Sequence, residues 1–82
     1  MGQQGWLQHP TSTETKRFHR DTTHWTETPM VFIDSGRPLP GQPALLKSRS
    51  YVHRDEATAL WQRLRRQGWK PVAPQWGESE EV

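Results

Sequence analysis

The stretch from Asp55 to Pro71 leaves the fewest options for how this chain folds. Asp55 and Glu56 stand where the positive end of a helix dipole favours carboxylates, and Ala57, Leu60, Trp61 and Leu64 then recur at helical spacing. Arg63, Arg65 and Arg66 fall in the last turns, beside the carbonyls left open at a helix end. Gly68 can take the left-handed conformation that stops a helix. Trp69 beyond it can then fold back on Leu64, and Pro71 prevents any continuation. The pattern predicts one amphipathic helix over about 54–67, whose apolar stripe needs a second layer to cover it.

The chain has 82 residues, enough for one domain with a thin margin of stability. Only 30% of its residues are apolar, but five are Trp, so aromatic rings are expected to dominate the core. There is no cysteine, which excludes disulfides, thiolate metal sites and thiol redox chemistry, and fits a reducing compartment. No run approaches the roughly 20 apolar residues a membrane span requires, and the N-terminus lacks the basic-then-apolar order of a signal peptide. A cytoplasmic location is expected.

The remaining layer reads as strands. Residues 1–4 are expected to fray. Trp6 and Leu7 form a short apolar patch closed by Pro10, and 11–15 is a polar turn. Phe18 is the one strongly apolar side chain of 16–21, which suggests an edge or half-exposed strand. The clearest central strand is 30–34, bounded by Pro29 and by a turn at Ser35-Gly36. Residues 35–43 hold three prolines and two glycines and predict a long hairpin loop. In 44–53, strict alternation puts Leu46, Ser48, Ser50 and Val52 on one face and Leu45, Lys47, Arg49 and Tyr51 on the other, which looks wet and basic. Residues 72–76 contain Pro74 and read as an extended packed segment, with Trp76 placed to meet Trp6. The fold expected is α+β: a three- or four-stranded, mainly antiparallel sheet over 5–53, covered on one face by the helix. The domain spans 5–76, and 77–82 is an acidic tail expected to be disordered.

The order of motifs, a GWL start, an LPGQPALLKSR centre and an LWQRLRRQGWKPVAPQW end, resembles a small domain family of unknown function from marine unicellular cyanobacteria. The likeness runs from about residue 5 to 76. In that family a Thr or Ser precedes the helix; His53 stands there in this chain, which predicts a weak N-terminal cap. The resemblance implies no activity, cofactor or catalytic residue.

No catalytic, cofactor or metal site is expected. His9, His19, His24 and His53 show no metal-ligand spacing, although His19 and His24 flank a turn and could approach one another. Asp55 and Glu56 are explained as helix-start charges, and Asp34 as the end of a strand. Between Lys47 and Lys70, seven basic residues face two acidic ones. Two binding readings follow. The first is a non-catalytic interaction module that meets a protein partner through its uncovered sheet face or through Trp25, which stands among Thr22, Thr23, His24 and Thr26 as the expected exposed anchor. The second is a nucleic-acid-binding module that uses Lys47, Arg49 and Tyr51 with Arg63, Arg66 and Lys70 to pair phosphates and stack a base. A monomer is expected.

Overall fold

The computed structural model describes residues 4–77, so the tail beyond Gly77 and the first three residues lie outside the described residues. The elements, in chain order, are β1 (Gln4–Gln8), β2 (Thr15–Arg20), β3 (Met30–Leu39), β4 (Gln42–His53), α1 (Arg54–Arg66) and β5 (Lys70–Pro71). The strands form one antiparallel sheet in the order β4-β3-β2-β1-β5. Among the described residues the fold is α+β with five strands, one more than the upper expectation, because the chain beyond the helix returns to pair with β1. Gln4 is part of β1, opposite His19.

Alternation along each strand sorts the side chains. Leu7, Phe18, Val31 and Ile33 belong to one buried cluster that also holds Ala57 and Leu64 of α1 and Trp69 beyond it. The Phe18 ring meets Trp61 edge-on at 5.2 Å between centroids. β2 is therefore an interior strand and not the edge that its polar composition suggested. Phe18 is almost fully enclosed, and the neighbouring Arg17 is buried as well, on the opposite face.

β3 does not turn at Ser35-Gly36 but runs on to Leu39, and the chain reverses at Pro40-Gly41, between the paired Leu39 and Gln42. Gly41 supplies the positive φ of 67° that this tight turn requires. Pro38 is accommodated inside β3 because it falls at a register irregularity and beyond the end of β2, where no ladder hydrogen bond is lost. Gly36 is needed for a different reason. A Cβ there would stand 2.6 Å from the Leu45 carbonyl oxygen.

The helix end follows the predicted design. Gly68 has φ 96°, its N–H donates to the Arg65 carbonyl at 3.1 Å, and the Trp69 N–H donates to the Leu64 carbonyl at 3.0 Å, the two bonds of a Schellman stop. The helix start corrects the expectation of a weak cap. His53 is the N-cap, and its Nδ1 accepts from the Asp55 N–H at 3.1 Å, doing with a ring nitrogen what Ser or Thr does with a hydroxyl. Among the described residues, no helix is long and apolar enough to cross a membrane.

Candidate interaction surface

The sheet face turned away from the helix carries two rows of side chains that run across the strands. In the first, Trp6 of β1, Arg17 of β2, Asp34 of β3 and Arg49 of β4 stand directly opposite one another in successive pairs. In the second, His19, Phe32 and Tyr51 do the same. Opposed cross-strand side chains have their Cβ atoms roughly 5 Å apart, close enough for neighbours within each row to interact.

The first row alternates in charge and ends in rings. Asp34, 1% exposed, accepts from Arg49 Nε at 2.6 Å and from the second Arg49 nitrogen at 3.0 Å. The planar guanidinium matches both carboxylate oxygens, which fixes direction as well as charge. His19 Nε2 lies 2.9 Å from the same carboxylate, so the neutral ring carries its proton on Nε2 and donates it to Asp34. The Arg17 guanidinium sits 5.5 Å from the Trp6 ring centre, and Trp76 covers Trp6 edge-on at 4.7 Å, joining the two ends of the domain as its sequence suggested. Both indole N–H groups are buried without an acceptor among the described residues, so the two side chains are held by ring packing and by the Arg17 guanidinium rather than by hydrogen bonds of their own.

The second row is a stack. The His19 and Phe32 rings lie 5.3 Å apart, Phe32 and Tyr51 4.8 Å apart, and the Arg49 guanidinium caps Phe32 at 4.8 Å. The Tyr51 hydroxyl donates to Asp21, whose carboxylate also accepts from the Thr23 N–H at 3.2 Å and stands 3.3 Å from His24 Nδ1. Tyr51 is thus 47% exposed yet held at its hydroxyl and along its ring.

The ionisation of these groups follows from their neighbours. Burial pushes the Asp34 carboxyl up, but the hydrogen bonds from Arg49 and His19, together with the Arg49 charge, outweigh it and hold it below the ordinary carboxylate value. Burial lowers His19, against the pull of Asp34 and with the help of Arg17, and the ring is kept neutral. The hydrogen bond to Asp21 raises Tyr51, and the same bond lowers Asp21. Each carboxylate is occupied by donors. Among the described residues, no group of three or more His, Asp or Glu side chains could hold a metal ion. His19 and His24 do not join but serve different carboxylates.

The structure separates the basic window. Ser35 pairs with Ser48 but Gly36 with Leu46, so Lys47 is the extra residue of a β-bulge. The expected sharing of a face by Lys47, Arg49 and Tyr51 is broken there, and Leu46 leaves the company of Ser48, Ser50 and Val52. Arg63 and Arg66 are exposed on the helix, and Lys70 is on β5, at the far edge of the sheet from β4. Four strand spacings, about 19 Å, separate those edges. The face is also less basic than its sequence suggested, since Arg49 is matched by Asp34. Trp25 is not a free anchor: it is half-buried, packs against the core cluster and is covered by the Arg20 guanidinium at 4.6 Å. Of these two rows, Arg17 and Phe32 were not singled out by the sequence, while Trp6, His19 and Asp34 were given other roles: a partner for Trp76, an isolated imidazole and a strand end. Period-two spacing of Arg17 with His19 and of Phe32 with Asp34 was the available signal.

A five-stranded antiparallel sheet with one helix, presenting an ordered aromatic and ionic face, defines a small α+β domain with no cofactor-binding motif in its sequence. Residues 4–76 match the family described as protein of unknown function (DUF1651), and the chain belongs to that family. No curated protein and no solved structure matches it.

Proposed function

We propose that the domain is a non-catalytic interaction module that binds a protein partner through the face bearing Phe32, Arg49 and Tyr51. The observation that carries this reading is the state of Tyr51, widely exposed but fixed by Asp21 and Phe32 beside an arginine fixed by Asp34. Aromatic and arginine side chains ordered before binding lose little entropy on docking, and they are the residue types that dominate protein interfaces. A catalytic reading draws less support, because both carboxylates already serve several donors and the hydroxyl that reaches a His–Asp pair, that of Tyr51, donates to the carboxylate and not to the histidine that would serve as its base. The nucleic-acid reading loses its continuous basic surface through the bulge at Lys47 and the placement of Lys70.

The test is Tyr51→Ala, with thermal melting as a check on the fold. Quantitative capture of the partner from native lysate is expected to fall about 30-fold, the equivalent of a 2 kcal/mol anchor. Equal recovery of the same partner would overturn the reading. Binding of short RNA or DNA that collapses between low and physiological salt would favour the nucleic-acid module instead.

A further inference from the structure

The two edges of the sheet are guarded very differently. β5 is two residues long and ends in Pro71, so it offers almost nothing to a further strand. β4 is twelve residues long, and nothing pairs with its outer side among the described residues. Its first half carries the usual protections, Pro43 and the bulge at Lys47. The second half, from Ser48 to His53, pairs in unbroken register with β3 and has neither proline, bulge nor lysine. Such a stretch is a ready template for another strand.

Its hydrogen-bonding direction can be read from the ladder. The Arg54 N–H donates to the Pro29 carbonyl at 2.8 Å, and bonded pairs alternate from there, so Val52, Ser50 and Ser48 turn their backbone groups toward β3. The Asp21 N–H donates to the Met30 carbonyl at 2.9 Å, which confirms that the alternate residues of β3 serve β2. Arg49, Tyr51 and His53 therefore turn theirs along the outer edge.

We propose that this half of β4 is an interface between two copies of the chain, paired antiparallel about a two-fold axis at Ser50. The register follows from charge. An axis at Arg49 would oppose two guanidinium groups, and one at Tyr51 would set Arg49 against His53 of the second copy. An axis at Ser50 sets Arg49 against Tyr51 of the second copy, twice, as cation–π neighbours. It also brings Lys47 to the start of the second copy's helix, where Asp55 and Glu56 are exposed and Arg54 is already paired with Asp55 at 3.7 Å. The two five-stranded sheets become one, with both Tyr51 faces on the same side. This departs from the monomer expected from sequence. A single strand pairing buries less than a standard interface of about 1,600 Å², so the dimer is weak and concentration-dependent. The proposal rests on the strand edge, and its cross-linking test does not require knowing what the Tyr51 face binds.

The chain has no cysteine, so one introduced thiol reports the register directly. At an axis residue of the non-bonded type the two Cα atoms lie about 4.5 Å apart, within disulfide reach, whereas two Ser48 residues would be about 14 Å apart. Ser50 is exposed, so Ser50→Cys places its thiol at the surface. Mild oxidation of Ser50→Cys is expected to give covalent dimer at least tenfold faster than Ser48→Cys. Sedimentation equilibrium of the unmodified chain is expected to show an average mass that rises with concentration. A chain that stays monomeric throughout, or Ser48→Cys that cross-links as fast as Ser50→Cys, would overturn the proposal.

Discussion

The two faces of the sheet are held by different physics. On the helix side, Leu7, Phe18, Val31 and Ile33 meet Ala57, Leu64 and Trp69 in an apolar cluster whose stability comes from area removed from water. On the other side, Asp34 is as well buried as Phe18, yet it is held by three directional bonds from Arg49 and His19. Apolar burial tolerates rearrangement and is indifferent to pH. The ionic face is specific in geometry and depends on which groups carry protons. A small domain with a modest core can therefore keep one face for stability and use the other to set side-chain direction.

The largest effect expected from breaking this contrast is on the apolar side. Phe18→Ala removes a ring enclosed between the sheet and Trp61 and is expected to cost about 3–5 kcal/mol, as read by urea unfolding, with little change between neutral and mildly acidic solution. Asp34→Ala comes next, at about 3 kcal/mol. It strands Arg49 and His19, and it falls at the lower end of the range for broken buried pairs because Arg49 is 29% open to water. A loss below about 1 kcal/mol would show that the network orders the face without stabilising it.

The smallest effect sharpens the contrast by pH. His19 lies below its ordinary value of 6.5, so as pH falls the unfolded chain takes up the proton first and stability is lost. The lowered carboxyls of Asp34 and Asp21 act in the same direction further down, below their ordinary value of 3.8. Tyr51 acts at the other end: its raised value favours the protonated hydroxyl in the fold, and that contribution is lost above pH 10.0. Unfolding free energy is expected to decline already from about pH 7 to about pH 5, and His19→Gln is expected to flatten that slope. An unchanged slope in His19→Gln would assign the decline to other groups.

The legibility of the molecule follows the range of its interactions. The helix, its Gly68-Trp69 stop and the strand over 30–34 depend on residues within a few places of one another, where spacing and backbone preference decide the outcome. Pro38 and Ser35-Gly36 misled for the same reason: they are locally turn-like, but Ser35 and Gly36 are paired with both β2 and β4, and β4 carries β3 on to Leu39. Trp25 looked exposed because its neighbours in sequence are polar, while its neighbours in space are Arg20 and the core.

The sequence by itself determined an α+β domain with one helix, where that helix stops, and the absence of any thiol chemistry. Only the tertiary structure decided that the chain returns as a fifth strand and that Trp6, Arg17, Asp34 and Arg49 form one row. It also decided that the basic window is divided among β4, the helix and β5. Cross-strand partners such as Asp34 and Arg49 are brought together by strand register, which depends on turns, bulges and the packing of the whole sheet. No local pattern along the chain encodes it.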